Sequence, residues 1–127
     1  MEVNMDEELL LEILSFARDM HPKEAILLLR GEVKRATITV TDYLFPPFAT
    51  TNSISASYPI YMLPIDFSII GTAHSHPSGT LSLSTQDINH MYGRISLLMV
   101  YPYGKENVAV FNKQAERVEL NITASRL

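Results

Sequence analysis

Between Gly71 and Asp87 the chain reads G-T-A-H-S-H-P-S-G-T-L-S-L-S-T-Q-D, and this stretch limits the fold more than any other. If the segment before His74 is a strand, alternate side chains share a face, so His74 and His76 point the same way, together with Ile70 and Thr72. Pro77-Ser78-Gly79 reverses the chain. Ser84 to Asp87 then fits the opening of a helix, with Ser84 as N-cap and the Asp87 carboxylate folded back on the first-turn amides. A strand, a turn and a helix start in this order bring two imidazoles and one carboxylate toward a single point.

Two nitrogen ligands and one oxygen ligand leave a fourth tetrahedral position for water, the layout of a catalytic zinc centre; structural zinc sites are closed by four ligands rich in cysteine. The chain has no cysteine. A closed thiolate site is therefore excluded, and so is the zinc deaminase arrangement, which needs a P-C-x-x-C pair. Capping alone also accounts for Ser84 and Asp87, so the spacing by itself leaves both readings open. His and Asp ligands also suit iron, cobalt or nickel.

The run H-S-H-P-S-G from His74 to Gly79, seven residues between His76 and Ser84, and then S-T-Q-D resemble the signature of the JAMM or MPN-plus metalloproteases. The resemblance implies that His74, His76 and Asp87 bind one Zn²⁺, that Ser84 stabilises an oxyanion, and that an upstream glutamate is the general base. The stretch H-P-K-E-A-I-L-L-L-R-G is similar to the family segment bearing that base, which points to Glu24. The length and element order also resemble the stand-alone archaeal members. What the resemblance implies is a zinc-dependent isopeptidase that cuts between the C-terminal Gly-Gly of a ubiquitin-like modifier, of the archaeal small-modifier type, and a lysine or peptide amine. Two alternatives share the motif: a hydrolase trimming the C-terminus of a sulfur-carrier protein, and a non-catalytic scaffold, a class that has usually lost ligands present here.

The rest of the chain is read around that centre. From Asp6 to Met20, Leu10, Ile13, Leu14 and Ala17 fall at helical spacing behind an acidic first turn. Leu9, Leu11 and Phe16 widen the apolar face, which suits burial against a sheet or a homodimer partner. Pro22 stops the helix near Met20, and His21 reads as a surface histidine. Ala25 to Arg30 is an apolar run closed by Gly31, the pattern of a buried strand with Glu24 at its mouth. Ala36, Ile38 and Val40 alternate with threonines in a half-buried strand paired through a Gly31 to Lys34 turn. Phe45 to Ser57 reads as a long loop leading to an irregular edge strand around Ile54 to Ile60. Phe45, Phe48 and Tyr58 are candidates to line a groove accepting an extended peptide, or to anchor that loop on the core.

Phe67 to Ala73 is the strand that delivers the histidines. The helix opened by Ser84 runs through His90, a conceivable substitute ligand ranked below Asp87, and ends at Gly93. Ile95 to Tyr101, Val108 to Asn112 and Arg117 to Ile122 form an antiparallel meander. This order predicts a mixed, largely antiparallel curved sheet flanked by helices. It agrees with the α-β-α sandwich, of cytidine-deaminase-like type, that the resemblance implies. At 127 residues the chain is one domain spanning 1–127. A net charge of -4 gives no basic footprint for nucleic acid. The acidic N-terminus has no signal-peptide character and no run spans a membrane, so the expected location is cytoplasmic.

Overall fold

The computed structural model describes residues 1–46, 68–84, 87 and 92–124. The chain opens with a strand that sequence reading passed over: β1 (Glu2–Asp6) buries Val3 and Met5 on alternate positions. Asp6 ends it and caps helix α1 (Glu7–Met20), its carboxylate accepting the Glu8 N–H at 2.7 Å. Leu10, Ile13, Leu14 and Ala17 are the buried face, as their spacing predicts. Leu9, Phe16 and Met20 pack at its rim. Leu11 stays 46% exposed, so the apolar face is narrower than the sequence suggests.

Strands β2 (Ile26–Lys34) and β3 (Thr37–Leu44) form an antiparallel hairpin. Gly31 does not close β2. It lies inside the strand, where the register with β3 slips between Arg30 and Gly31. A Cβ at Gly31 would sit 2.1 Å from the Thr39 carbonyl oxygen, so only glycine permits this approach. The turn itself falls at Arg35 and Ala36.

Next come β4 (Ile69–His76), β5 (Ile95–Val100), β6 (Val108–Asn112) and β7 (Arg117–Thr123). The sheet order is β1-β3-β2-β4-β5-β6-β7. Curvature brings β1 parallel to β7 as well as to β3. The β4–β5 pair is also parallel, whereas the other four pairings are antiparallel, so the sheet is mixed, as expected. Helix α1 covers one face, sealing a core that includes Val3, Leu14, Leu27, Leu29, Ile38, Ala73, Leu97 and Met99. Each such valine, leucine, isoleucine or methionine side chain taken fully from water contributes about 1.5–3 kcal/mol.

A smaller cluster on the other face joins Leu98, Val100, Ala109 and Phe111 to Leu81 and Leu83. Those two leucines anchor the segment that leads to Ser84. Ile70 packs in the helix-side core rather than beside the histidines, because the register between β2 and β4 slips between Leu29 and Arg30. Among the described residues no helix is long and apolar enough to cross a membrane. Phe48, Tyr58, His90 and the strand expected around Ile54 to Ile60 lie outside the described residues.

Candidate metal centre

Strand β4 carries the histidines to the sheet's end. Ile26 pairs with His74, which sets Ala25 opposite Ser75 and Glu24 opposite His76. The Ala25–Ser75 pair is unusual. Ser75 donates its N–H to the Ala25 carbonyl at 3.0 Å, and the Ala25 N–H donates at 2.7 Å to the Ser75 hydroxyl, which stands where a regular ladder would place a carbonyl. Ser75 is fully buried, so this clasp is dry. It fixes the chain one residue after Glu24. Glu24 then lines a cleft of about 470 Å³ with His76, Pro77, Ser78, Thr80, Ser82, Leu83, Ser84 and Asp87.

Asp87 reaches both imidazoles. Its Oδ2 lies 2.9 Å from His76 Nε2 and its Oδ1 lies 3.4 Å from His74 Nε2. One ligand atom from each of the three residues falls within 4.8 Å of the others, a set able to hold a metal ion. Ligand atoms about 2.1 Å from a tetrahedral zinc lie roughly 3.4 Å apart, so the His74–Asp87 spacing already suits a shared ion. His74 Nε2 supplies an independent test of fit. It is buried and has no partner with hydrogen-bond geometry, although Asp87 Oδ1 lies 3.4 Å away. A buried orphan nitrogen is costly unless something coordinates it.

Ser84 and Asp87 form the reciprocal cap as well. The Ser84 N–H donates to Asp87 Oδ2 at 2.8 Å and the Asp87 N–H donates to Ser84 Oγ at 3.1 Å. Capping and ligation are therefore one arrangement: the cap aims the carboxylate at the histidines. Ser84 is exposed at the cleft, and its oxygen is engaged as an acceptor while its hydroxyl proton can donate.

The electrostatics follow from this crowding. Burial pushes the Asp87 carboxyl up, but the two facing imidazoles and the Ser84 amide outweigh it and hold the group far below the ordinary carboxylate range. His76 is raised, first by its bond to Asp87, against the opposing effect of burial. Glu24 is raised by burial, with the imidazoles pulling it back and Asp87 pushing it further up. A carboxylate lifted in this way becomes a better proton acceptor near neutral pH.

Three contributors were not legible as such in the sequence. Ser75 is one. His21 is another: it is not a plain surface residue, since its Nδ1 shares a 2.7 Å hydrogen bond with the Tyr103 hydroxyl and its ring stacks on Tyr101 at 4.8 Å. With Arg18 donating to the Tyr103 carbonyl at 3.0 Å, this docks the end of α1 and so the run into Glu24. The third is Ser96, buried with its hydroxyl 3.5 Å from His74 Nδ1. Phe45 packs edge-on against Phe16 and Tyr43, and is not among the described residues lining the cleft.

Fold and site together define the class, a metalloprotease of the JAMM type. Within it, the chain belongs to the prokaryotic homologs of the JAB domain, the family whose model matches residues 6–117. A Haloferax volcanii protein named "Probable metalloprotease" is 33% identical over 116 residues, which covers 86% of this chain and 72% of that protein. A solved structure described as "JAMM: A Metalloprotease-like Zinc Site in the Proteasome and Signalosome" is 25% identical with a TM-score of 0.71, over 97% of this chain and 99% of its own. A JAB1/MPN domain protein from Archaeoglobus fulgidus is 28% identical with a TM-score of 0.68 over the same shares.

Proposed function

We propose that this protein is a zinc-dependent isopeptidase that hydrolyses the amide between the C-terminal Gly-Gly of a ubiquitin-like modifier, of the archaeal small-modifier type, and a lysine amine. The observation that carries the reading is the convergence of His74, His76 and Asp87 on one point, with Glu24 lining the same cleft as His76 and Asp87. Zinc as the metal and a peptide-type amide as the bond are supported by the relatives described above. The modifier class rests on the family signature. Gly-Gly is chemically apt for a cleft with walls close to the ligands, because any side chain there would clash.

His74, His76 and Asp87 would hold the ion. Bound zinc would supply a Lewis acid for the scissile carbonyl and lower the pKa of water to about 7. Glu24 would take the proton of the attacking water and pass it to the leaving amine, a role worth roughly 10²- to 10⁴-fold in rate. The Ser84 hydroxyl would donate to the developing oxyanion, and loss of one such donor costs about 3 kcal/mol.

The test compares wild type with Glu24→Gln on two probes: a lysine-linked modifier conjugate and the same modifier carrying a linear C-terminal extension. The proposal expects one zinc per chain in both proteins, cleavage of the conjugate by wild type, and its loss in the variant. Cleavage of the linear extension alone would identify a C-terminal trimming hydrolase instead. Zinc binding without cleavage of either probe would leave a scaffold.

A further inference from the structure

We propose that Ser96 is the positioning residue for His74: its hydroxyl keeps the imidazole proton on Nδ1, so that the Nε2 lone pair is presented to the metal. The inference deepens the metal-centre reading and rests on it.

A neutral imidazole carries one proton, and a histidine that ligates through one nitrogen must bear it on the other. His74 is 8% exposed and Ser96 is 3% exposed, so neither ring nitrogen has ready access to water. A buried N–H needs an acceptor. The two ends of the ring are unlike. Nδ1 lies 3.5 Å from Ser96 Oγ, while Nε2 points toward Asp87 and has no hydrogen-bond partner. Of the two contacts, Nδ1–Ser96 at 3.5 Å and Nε2–Asp87 at 3.4 Å, only the first has hydrogen-bond geometry, so a proton on Nδ1 given to Ser96 is the arrangement that satisfies the donor best. That leaves the orphan nitrogen as a lone pair on the side where His76 and Asp87 converge.

The sheet explains why this residue and no neighbour does it. In the parallel β4–β5 pair, Thr72 is in register with Ser96 and His74 with Leu98. Ser96 therefore sits on the His74 face, one diagonal step back along β5. His76 is held differently, its Nε2 lying 2.9 Å from Asp87 Oδ2. A hydroxyl also suits the place better than a carboxylate, since it accepts the proton without adding a second buried negative charge beside Asp87.

The test uses the full chain and reads zinc affinity by competition with a chromophoric chelator, for wild type, Ser96→Ala and Ser96→Thr. Alongside, ¹⁵N–¹H correlation spectra of the metal-free proteins report the His74 tautomer, and thermal unfolding reports their stability. Ser96→Ala should bind zinc roughly 10- to 100-fold more weakly. Its metal-free melting temperature should fall by no more than the few degrees that one lost acceptor costs, and Ser96→Thr should recover the affinity. Wild-type His74 should carry its proton on Nδ1, and Ser96→Ala should show a mixture. An Nε2–H tautomer in wild type overturns the inference whatever the variants do, and so does wild-type zinc affinity in Ser96→Ala. That last result rejects the role of Ser96 alone, whereas a wild type that binds no zinc rejects the metal centre with it.

Discussion

At the scale of single residues, Asp87 holds two functions that one substitution can separate. Asparagine keeps an oxygen able to accept the Ser84 N–H, so the cap seen at 2.8 Å survives, but the negative charge facing His74 and His76 is gone. Asp87→Asn should therefore fold normally and lose zinc affinity on the order of 100-fold or more, beyond what a supporting residue costs. Isothermal titration settles it; undiminished binding would reduce Asp87 to a cap. His76 adds a pH dependence. Its folded-state pKa is raised, so the stability it gives the metal-free protein is complete below about pH 6.5 and fades as pH rises through the raised value. Zinc requires the neutral ring. Its apparent affinity should climb by up to about tenfold per pH unit until His76 has lost its proton, and then level off. A flat profile from about pH 5.5 to about pH 8 would show that His76 is no ligand.

At the scale of elements, the clasp between β2 and β4 invites a separate measurement. Ser75→Ala removes the acceptor of the Ala25 N–H, a buried group, and should destabilise the protein by about 1–3 kcal/mol. Hydrogen exchange localises the effect: the Ala25 amide should lose protection while amides deep in β5 keep theirs. Continued slow exchange at Ala25 would mean that the hydroxyl is not its acceptor. This clasp also marks where sequence reading stops. His74, His76, Ser84 and Asp87 lie within one short span whose spacing carries their geometry, so their convergence is a local property. Helix α1 was legible from Leu10, Ile13, Leu14 and Ala17 because helical spacing repeats over several turns. Strand β1 was not, since Val3 and Met5 give only two apolar positions among polar and acidic neighbours, and its pairing with β3 and β7 is wholly non-local. Gly31 misled for a related reason: a glycine that ends a strand and one that lets two strands approach look alike until the partner is known. Ser75 and Ser96 are ordinary serines in a sequence, and only burial against Ala25 and His74 distinguishes them.

At the scale of the whole molecule, the metal centre joins parts that are otherwise tied weakly. His74 and His76 belong to β4, deep in the sheet, whereas Asp87 comes from the segment that Leu81 and Leu83 alone fasten to the far face among the described residues. An ion bound by all three would therefore link that segment to the core, and it would bind the folded chain far better than the unfolded one. Linkage then gives a magnitude. Free zinc at about 100 times its dissociation constant should stabilise the protein by about 2.7 kcal/mol, a rise in melting temperature on the order of 10 °C for a chain of this size. Differential scanning calorimetry with and without zinc measures this, and a chelator should reverse it. Asp87→Asn is the control, because it keeps the cap yet should forfeit most of the shift. A melting temperature indifferent to zinc in wild type would show that these three side chains converge without holding a metal. An equal rise in the variant would place the ion elsewhere on the molecule.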